Sequence, residues 1–179
     1  MNDGVFILRD LDKFTSVTDA IIAKELNLKN IVLKCGVIES NYYLSQKLNV
    51  SLATKLFYLS RLRVVNGKPR SIEKTYIEYD KVKGLEKEDF TDVSFYRVLD
   101  NKTGFKINMT NEEILIVEAN EEECEHLELE MGDEVVLIKG TAYIEDGNPF
   151  KGTAYIEDGN PFEYFEVTSI PSFYRFRSV

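Results

Sequence analysis

Two spacings of apolar residues organise this chain: in some stretches every second residue is apolar, and in others apolar residues lie three or four apart. The first spacing is typical of β-strands and the second of amphipathic helices. Strand-like stretches occupy residues 4–8, 29–40, 56–65, 68–78, 106–119 and 134–139, and helix-like stretches occupy 18–28, 41–48, 91–99 and 121–129. Because the strands alternate instead of forming solid apolar blocks, the pattern predicts an antiparallel α+β domain with helices on one face rather than a doubly wound parallel sheet.

Polar residues that cap helices support these assignments. Asn41 and Asn120 directly precede two of the helix-like stretches, and an asparagine side chain there can accept a hydrogen bond from a free backbone N–H. Thr91 or Asp92 is the predicted cap of the third helix, and Thr18 begins the first. The caps therefore predict where each helix begins.

The central stretch, residues 53–78, predicts a β-hairpin around an Asn66-Gly67 turn. Arg61 and Arg63 lie two apart in its first strand, so their guanidinium groups project from one face. Two adjacent cations repel unless an anion lies between them or each has its own partner. This spacing suggests a site for a carboxylate or phosphate. The alternative is an exposed hairpin whose arginines form surface ion pairs, each worth under about 1 kcal/mol.

The length of the turn decides whether Glu73 joins this site. A two-residue turn would pair Ser60 with Glu73 and send Glu73 to the face opposite the arginines. A three-residue turn with a bulge, with Gly67 in a left-handed conformation, would bring Glu73 onto the arginine face. We favour the second form, because Pro69 has no ladder N–H and is easier to place beside a bulge.

Composition limits the possible functions. The chain has 179 residues, 44% of them hydrophobic and 30% charged, which fits one globular domain. Its net charge of −9 makes it a poor binder of DNA or anionic membranes by itself. With two cysteines, no signal peptide and no long apolar run, the simplest interpretation is a reduced cytoplasmic protein. Cys124 and His126 point to different faces of a helix, so neither a metal nor another cofactor is expected.

Residues 139–150 and 151–162 are identical, each reading KGTAYIEDGNPF. Divergent evolution of a structural repeat rarely leaves two copies unchanged, so this is a recent or engineered duplication. Each copy predicts a strand (141–144 and 153–156) and an Asp-Gly-Asn-Pro turn (146–149 and 158–161). We expect one copy to fill the native hairpin and the other to be extruded or to add an extra hairpin.

The order of these motifs resembles the UTRA domain, the effector-binding half of HutC-type regulators in the GntR family. The resemblance runs from about Phe14 to Phe176 and is most specific in LSRLRVVNGKPRSIEKTYI, residues 59–77. FTSVTDAI (14–21), VSFYRVL (93–99) and AYIEDGNPFEY (154–164) support it. Residues 1–13 are similar to the end of a winged-helix wing and its linker. Residues 14–179 would then be the effector-binding domain of a regulator that lacks its DNA-binding part.

The resemblance implies a chorismate lyase-like α+β fold, a homodimer and a small bound metabolite. It assigns anion binding to Arg61 and Arg63, and hydroxyl or amine recognition to Glu73. The remaining residues that the resemblance brings to the site are Ser16, Ser94, Tyr76, Tyr96 and Glu163. Helix chemistry supports anion binding at the two serines independently of the resemblance, because free N–H groups at a helix start favour negative charge.

The expected function is therefore sensing of an anionic metabolite, a sugar phosphate or carboxylate, that controls DNA binding by the absent N-terminal domain. An enzyme of the chorismate lyase kind is the alternative, although the sequence offers no clear acid–base pair with a nucleophile. A dimerisation module with a collapsed cleft is a third possibility. The chain departs from the family at residues 169–174, where many members carry Tyr-Arg-Gly-Asp-Arg-Tyr.

Overall fold

The structure is a computed structural model that describes residues 4–12, 16–144 and 160–178. Within these residues it contains eight strands, four α-helices and two 3-10 turns. In order they are β1 (Ile7–Asp10), α1 (Val17–Ala23), β2 (Leu28–Glu39), α2 (Tyr42–Leu48), β3 (Lys55–Val65), β4 (Lys68–Glu78), two 3-10 turns (Tyr79–Lys81 and Leu85–Lys87), α3 (Phe95–Thr103), β5 (Ile107–Glu118), α4 (Glu121–Leu127), β6 (Glu134–Ile144), β7 (Glu163–Ser169) and β8 (Tyr174–Arg177).

Six of the described strands form one antiparallel sheet in the order β2-β3-β4-β7-β6-β5. The predicted antiparallel α+β class is confirmed. The first strand begins at Ile7 rather than residue 4, and it pairs in parallel with β8 in a separate two-stranded sheet. Ile7 is buried in the same cluster as Phe173, so β1 packs against the end of the chain. Among the described residues, no helix has the length and apolar character needed to cross a membrane.

Helices cover both faces of the sheet, and the prediction of one covered face is wrong. Helices α1 and α3 pack on what we call the site face, where Phe57 and Leu59 of β3 contact α3. Helices α2 and α4 pack on the opposite face, where Leu56 and Leu62 lie. The cause is visible in β3, in which residues on both sides of the pleat are apolar and therefore need cover on both sides.

Two of the predicted caps are present and two are wrong. Helix α1 begins at Val17 after the cap Ser16, not at Thr18. The side chains of Asn41 and Asn120 accept hydrogen bonds from backbone N–H groups of α2 and α4. Helix α3 begins after Ser94, not after Thr91 or Asp92. The Asp92 carboxylate instead accepts a 2.7 Å hydrogen bond from the backbone N–H of Asn30 in β2, which ties the turn before α3 to the edge of the sheet.

The central hairpin has the favoured register, but the turn and the bulge that produce it differ from those predicted. The turn has two residues, Asn66 and Gly67, with φ of 51° and 76°. Both positive values match the tight turn of a regular hairpin. The shift of one residue comes instead from a bulge at Arg70, next to Pro69, so that Glu73 pairs with Arg61 on the site face.

The described residues of the two identical copies lie in the last part of β6 and directly before β7. Strand β6 continues from Glu134 to Ile144 without interruption, so the two strands predicted at 134–139 and 141–144 are one. Ala142 of the first copy pairs with Glu163, and Phe162 of the second copy donates its N–H to the carbonyl of Ala142 at 2.9 Å. The strand predicted at 153–156, the turn at 146–149 and the first two residues of the turn at 158–161 lie outside the described residues.

Candidate functional site

Arg61 and Arg63 project from the site face of β3 into the interior of the protein. Their side chains are 4% and 2% exposed, so the alternative of an exposed hairpin with surface ion pairs is wrong. The Arg61 guanidinium donates to the carbonyl oxygen of Val93 at 2.8 Å, just before α3. The Arg63 guanidinium donates to Thr18 Oγ1 in α1 at 3.3 Å. Each arginine therefore reaches the beginning of a different helix.

Glu73 lies between the two arginines. Its carboxylate accepts a 3.1 Å hydrogen bond from Arg61 and a second hydrogen bond from Arg63. Burial by itself would raise the pKa of Glu73, but the two guanidinium groups outweigh burial and hold the pKa below its ordinary value. Burial also lowers the pKa of Arg61, an effect that Glu73 partly offsets. One negative charge is thus shared by two positive charges.

These three side chains line a cavity of about 70 Å³, which we call the anion cavity. Four other predicted or newly found residues define its character: Ser16 and Ser94 at the helix starts, Tyr96 in α3, and Thr18 in α1. Ser94 is buried, and no capping hydrogen bond of its side chain is present among the described residues. The structure therefore brings six of the eight predicted site residues to one cavity: Arg61, Arg63, Glu73, Ser16, Ser94 and Tyr96.

Glu163 lies on the same face but behind Tyr96, and it is completely buried. Its carboxyl oxygens are 3.0 Å from Thr75 Oγ1 and 3.1 Å from the Tyr96 hydroxyl. Burial raises the pKa of Glu163 to about 8, although the two hydrogen bonds oppose this. Burial also raises the pKa of Tyr96 well above its ordinary value, and the neighbouring Glu163 adds to the effect. Glu163 thus holds the Tyr96 ring in place beside the cavity.

Tyr76 does not lie at the cavity, contrary to the sequence prediction. Successive residues of a strand project to opposite faces, and Thr75 takes the site face. The Tyr76 ring instead packs on the opposite face, 5.0 Å from the Tyr58 ring and 5.9 Å from the Tyr164 ring, centre to centre. The sheet therefore lies between Tyr76 and any ligand in the anion cavity.

Sequence reasoning missed Arg9 and Glu112, which close one side of the anion cavity. Arg9 in β1 donates to the Glu112 carboxylate in β5 at 2.8 Å, and both side chains are largely buried. They are 103 residues apart in the chain, so no local motif could have paired them. Thr18 was also missed, although it lies only two residues after the predicted Ser16. The described residues contain no cluster of three or more His, Cys, Asp or Glu side chains that could hold a metal ion.

The fold and this cavity define a ligand-sensing α+β domain. The model of the UTRA domain matches residues 23–156, most of the chain. The chain belongs to the UTRA domain family. Because UTRA is a regulatory ligand-binding domain and the relatives are transcriptional regulators, the chain is not an enzyme, and the lyase alternative is not supported.

Similar sequences include two regulators from Bacillus subtilis (strain 168). The HTH-type transcriptional regulator GmuR is 25% identical over 129 residues, covering 72% of this chain and 54% of GmuR. The HTH-type transcriptional repressor NagR is 24% identical over 140 residues, covering 78% of this chain and 57% of NagR. The chain thus spans about half the length of the relatives that it matches.

Solved structures show the same fold. The effector domain of PhnF from Mycobacterium smegmatis superposes with a TM-score of 0.77 and 18% identity, covering 92% of this chain and 93% of that domain. A GntR-family regulator from Enterococcus faecalis V583 gives a TM-score of 0.67 and 26% identity, covering 83% of this chain and 97% of that one. The architecture of GntR-family effector domains is therefore present here.

Proposed function

We propose that this domain binds a small anionic metabolite, a sugar phosphate or carboxylate, in the anion cavity. One observation carries the proposal: two buried guanidinium groups share a single carboxylate at the wall of a cavity. Buried charges are costly unless they are paired. The cluster of Arg61, Arg63 and Glu73 has one positive charge in excess, and an anionic guest would balance it.

Each residue has a distinct role in this proposal. Arg61 and Arg63 hold the anion through charge-assisted hydrogen bonds. The hydroxyl groups of Ser16 and Ser94 donate to it from the two helices. Glu73 accepts hydrogen bonds from hydroxyl or amine groups of the ligand, while Tyr96 forms part of the wall and is positioned by its hydrogen bond to Glu163.

The proposed consequence of binding is regulation of a HutC-type repressor or activator. The relatives are longer than the aligned region, and we propose that a DNA-binding domain lies in the part not represented here. A ligand changes DNA binding only to the extent that it prefers one arrangement of the whole regulator over another. We also propose a homodimer, as expected for a regulator that binds paired half-sites.

Calorimetric titration of sugar phosphates and sugar carboxylates tests the proposal. We expect at least one of them to bind, and Arg61→Ala to weaken its binding by about tenfold or more, since a hydrogen bond to a charged group contributes about 1.5–3 kcal/mol. Arg97→Ala is the matched control, because Arg97 pairs with Asp19 on the surface and its side chain is 67% exposed. Binding to a folded Arg61→Ala variant with unchanged affinity would contradict the proposed site.

A further inference from the structure

A larger groove of about 450 Å³ lies beside the anion cavity, between β1 and the edge strand β5. We call it the outer groove. Its lining consists of residues 7–12, Val17 and Ala20 of α1, residues 108–112, and Ile114. The groove is thus formed by the same three elements that supply Arg9, Thr18 and Glu112 to the anion cavity.

The anion cavity and the outer groove share a wall that includes the Arg9–Glu112 ion pair. Arg9, Val17 and Glu112 line both the anion cavity and the outer groove. At this shared wall the side chains of Arg9 and Glu112 form a 2.8 Å hydrogen-bonded ion pair. Arg9 also has a second favourable neighbour, since its guanidinium lies 5.7 Å from the centre of the Tyr174 ring. Because the ion pair is formed by side chains, rotation of Arg9 and Glu112 would open this part of the wall without moving a strand.

The anion cavity and the outer groove differ in volume. The anion cavity, at about 70 Å³, is much smaller than the outer groove. Pockets for small molecules usually measure about 300–1,000 Å³. The groove reaches that range. The adjoining groove therefore offers space for the rest of a molecule whose anionic group is bound by Arg61 and Arg63.

The chemistry of the groove favours hydroxyl groups over further charge. Asn108, Thr110 and Asn111 contribute amide and hydroxyl groups, whereas Asp10 and Asp12 contribute carboxylates. This lining is rich in acceptors, so it suits groups that can donate hydrogen bonds and repels a second anion. The partly exposed apolar side chains of Leu8 and Ile114 offer contacts for the C–H faces of sugar rings.

We infer that the outer groove is the second half of the binding site and that the ligand is a carbohydrate of two or more units with one anionic end. The anionic end lies in the anion cavity, and the uncharged units lie in the groove. This inference rests on the proposed function and specifies its ligand class.

Titration of paired ligands of different length tests the inference. The pairs are glucose 6-phosphate with maltose 6′-phosphate, and gluconate with maltobionate, so that each anion is tested with one and with two sugar-derived units. We expect the longer member of the binding pair to bind at least tenfold more tightly. In Ala20→Phe, which fills the groove, the ratio of the two dissociation constants should fall to near one. The matched control is Ala23→Phe, an exposed position on the same helix that does not line the groove.

The outcomes separate the two proposals. If neither anion binds at either length, the proposed function fails and the inference fails with it. If both lengths bind equally to the wild-type domain, the outer groove is not part of the site although the anion cavity is. The comparison of lengths needs no variant, so it remains decisive even if Ala20→Phe does not fold. A length preference that survives in a folded Ala20→Phe variant would also overturn the inference.

Discussion

The buried carboxyl of Glu163 should make the stability of this domain fall as the pH rises from 5.5 to 7.5. Burial raises its pKa to about 8 in the folded state, from an ordinary value of 4.5. Between these two values the folded state holds a proton that the unfolded state has lost. The stabilisation linked to that proton is complete below the ordinary pKa and is lost as the pH rises through the folded pKa.

The size of the effect follows from the two pKa values. One pH unit in this window changes the free energy of unfolding by about 1.4 kcal/mol for a single group. Because the folded pKa of about 8 lies close to the upper end, the total loss between pH 5.5 and 7.5 is about 2–3 kcal/mol. Glu73 does not disturb this range, since its lowered pKa places its titration at more acidic pH.

Urea unfolding of the wild-type domain and of Glu163→Gln at several pH values isolates the contribution of Glu163 to the free energy of unfolding. Glutamine has the shape of the protonated acid and can keep hydrogen bonds to Thr75 and Tyr96. We expect the wild-type minus variant difference in unfolding free energy to decrease by about 2–3 kcal/mol from pH 5.5 to 7.5. Parallel pH profiles for the two proteins would refute a neutral Glu163 at neutral pH.

Two further predictions concern the arginine cluster and the duplication. Glu73→Gln removes the carboxylate that two buried arginines share and should lower the unfolding free energy by about 3 kcal/mol in urea titration. In the control Glu122→Gln, which loses a half-exposed ion pair with Lys74, the loss should stay below about 1 kcal/mol. Deletion of 151–162 shortens the connection between β6 and β7 threefold, and thermal unfolding should show stabilisation by about 1 kcal/mol. A large loss of stability would contradict the interpretation that one copy is dispensable.

Periodicity alone was enough to place the arginines. A spacing of two in a strand puts Arg61 and Arg63 on one face whatever the strands around them do. The face of the sheet to which Glu73 projects was harder to predict, because it depends on counting residues through the turn and any bulge. The favoured register is present, but the turn is the two-residue form and the extra residue is Arg70. Sequence preferences of Pro69 indicated a bulge nearby without fixing its position.

The rest of the site depends on contacts between distant segments. The wall formed by Arg9 and Glu112 requires β1 and β5 to meet, which no pattern within either strand predicts. The failure at Tyr76 has a different cause. The resemblance to the family suggested a pocket residue, whereas strand alternation beside Glu73 and Thr75 already assigned Tyr76 to the opposite face. Applying the same alternation to every residue of β4 would have excluded it.

The position of the duplication explains how the site can coexist with it. A twelve-residue insertion next to Glu163 would ordinarily change the neighbours of that residue. Here the inserted copy is identical, so the sheet meets the same residues at both ends: Ile144 closes β6 as part of the first copy, and Phe162 precedes β7 as part of the second. Phe162 is 2% exposed in the core beside α3, where Phe150 would stand after deletion. The surroundings of Glu163 and Tyr96 are therefore preserved, and deletion of 151–162 should leave ligand affinity unchanged.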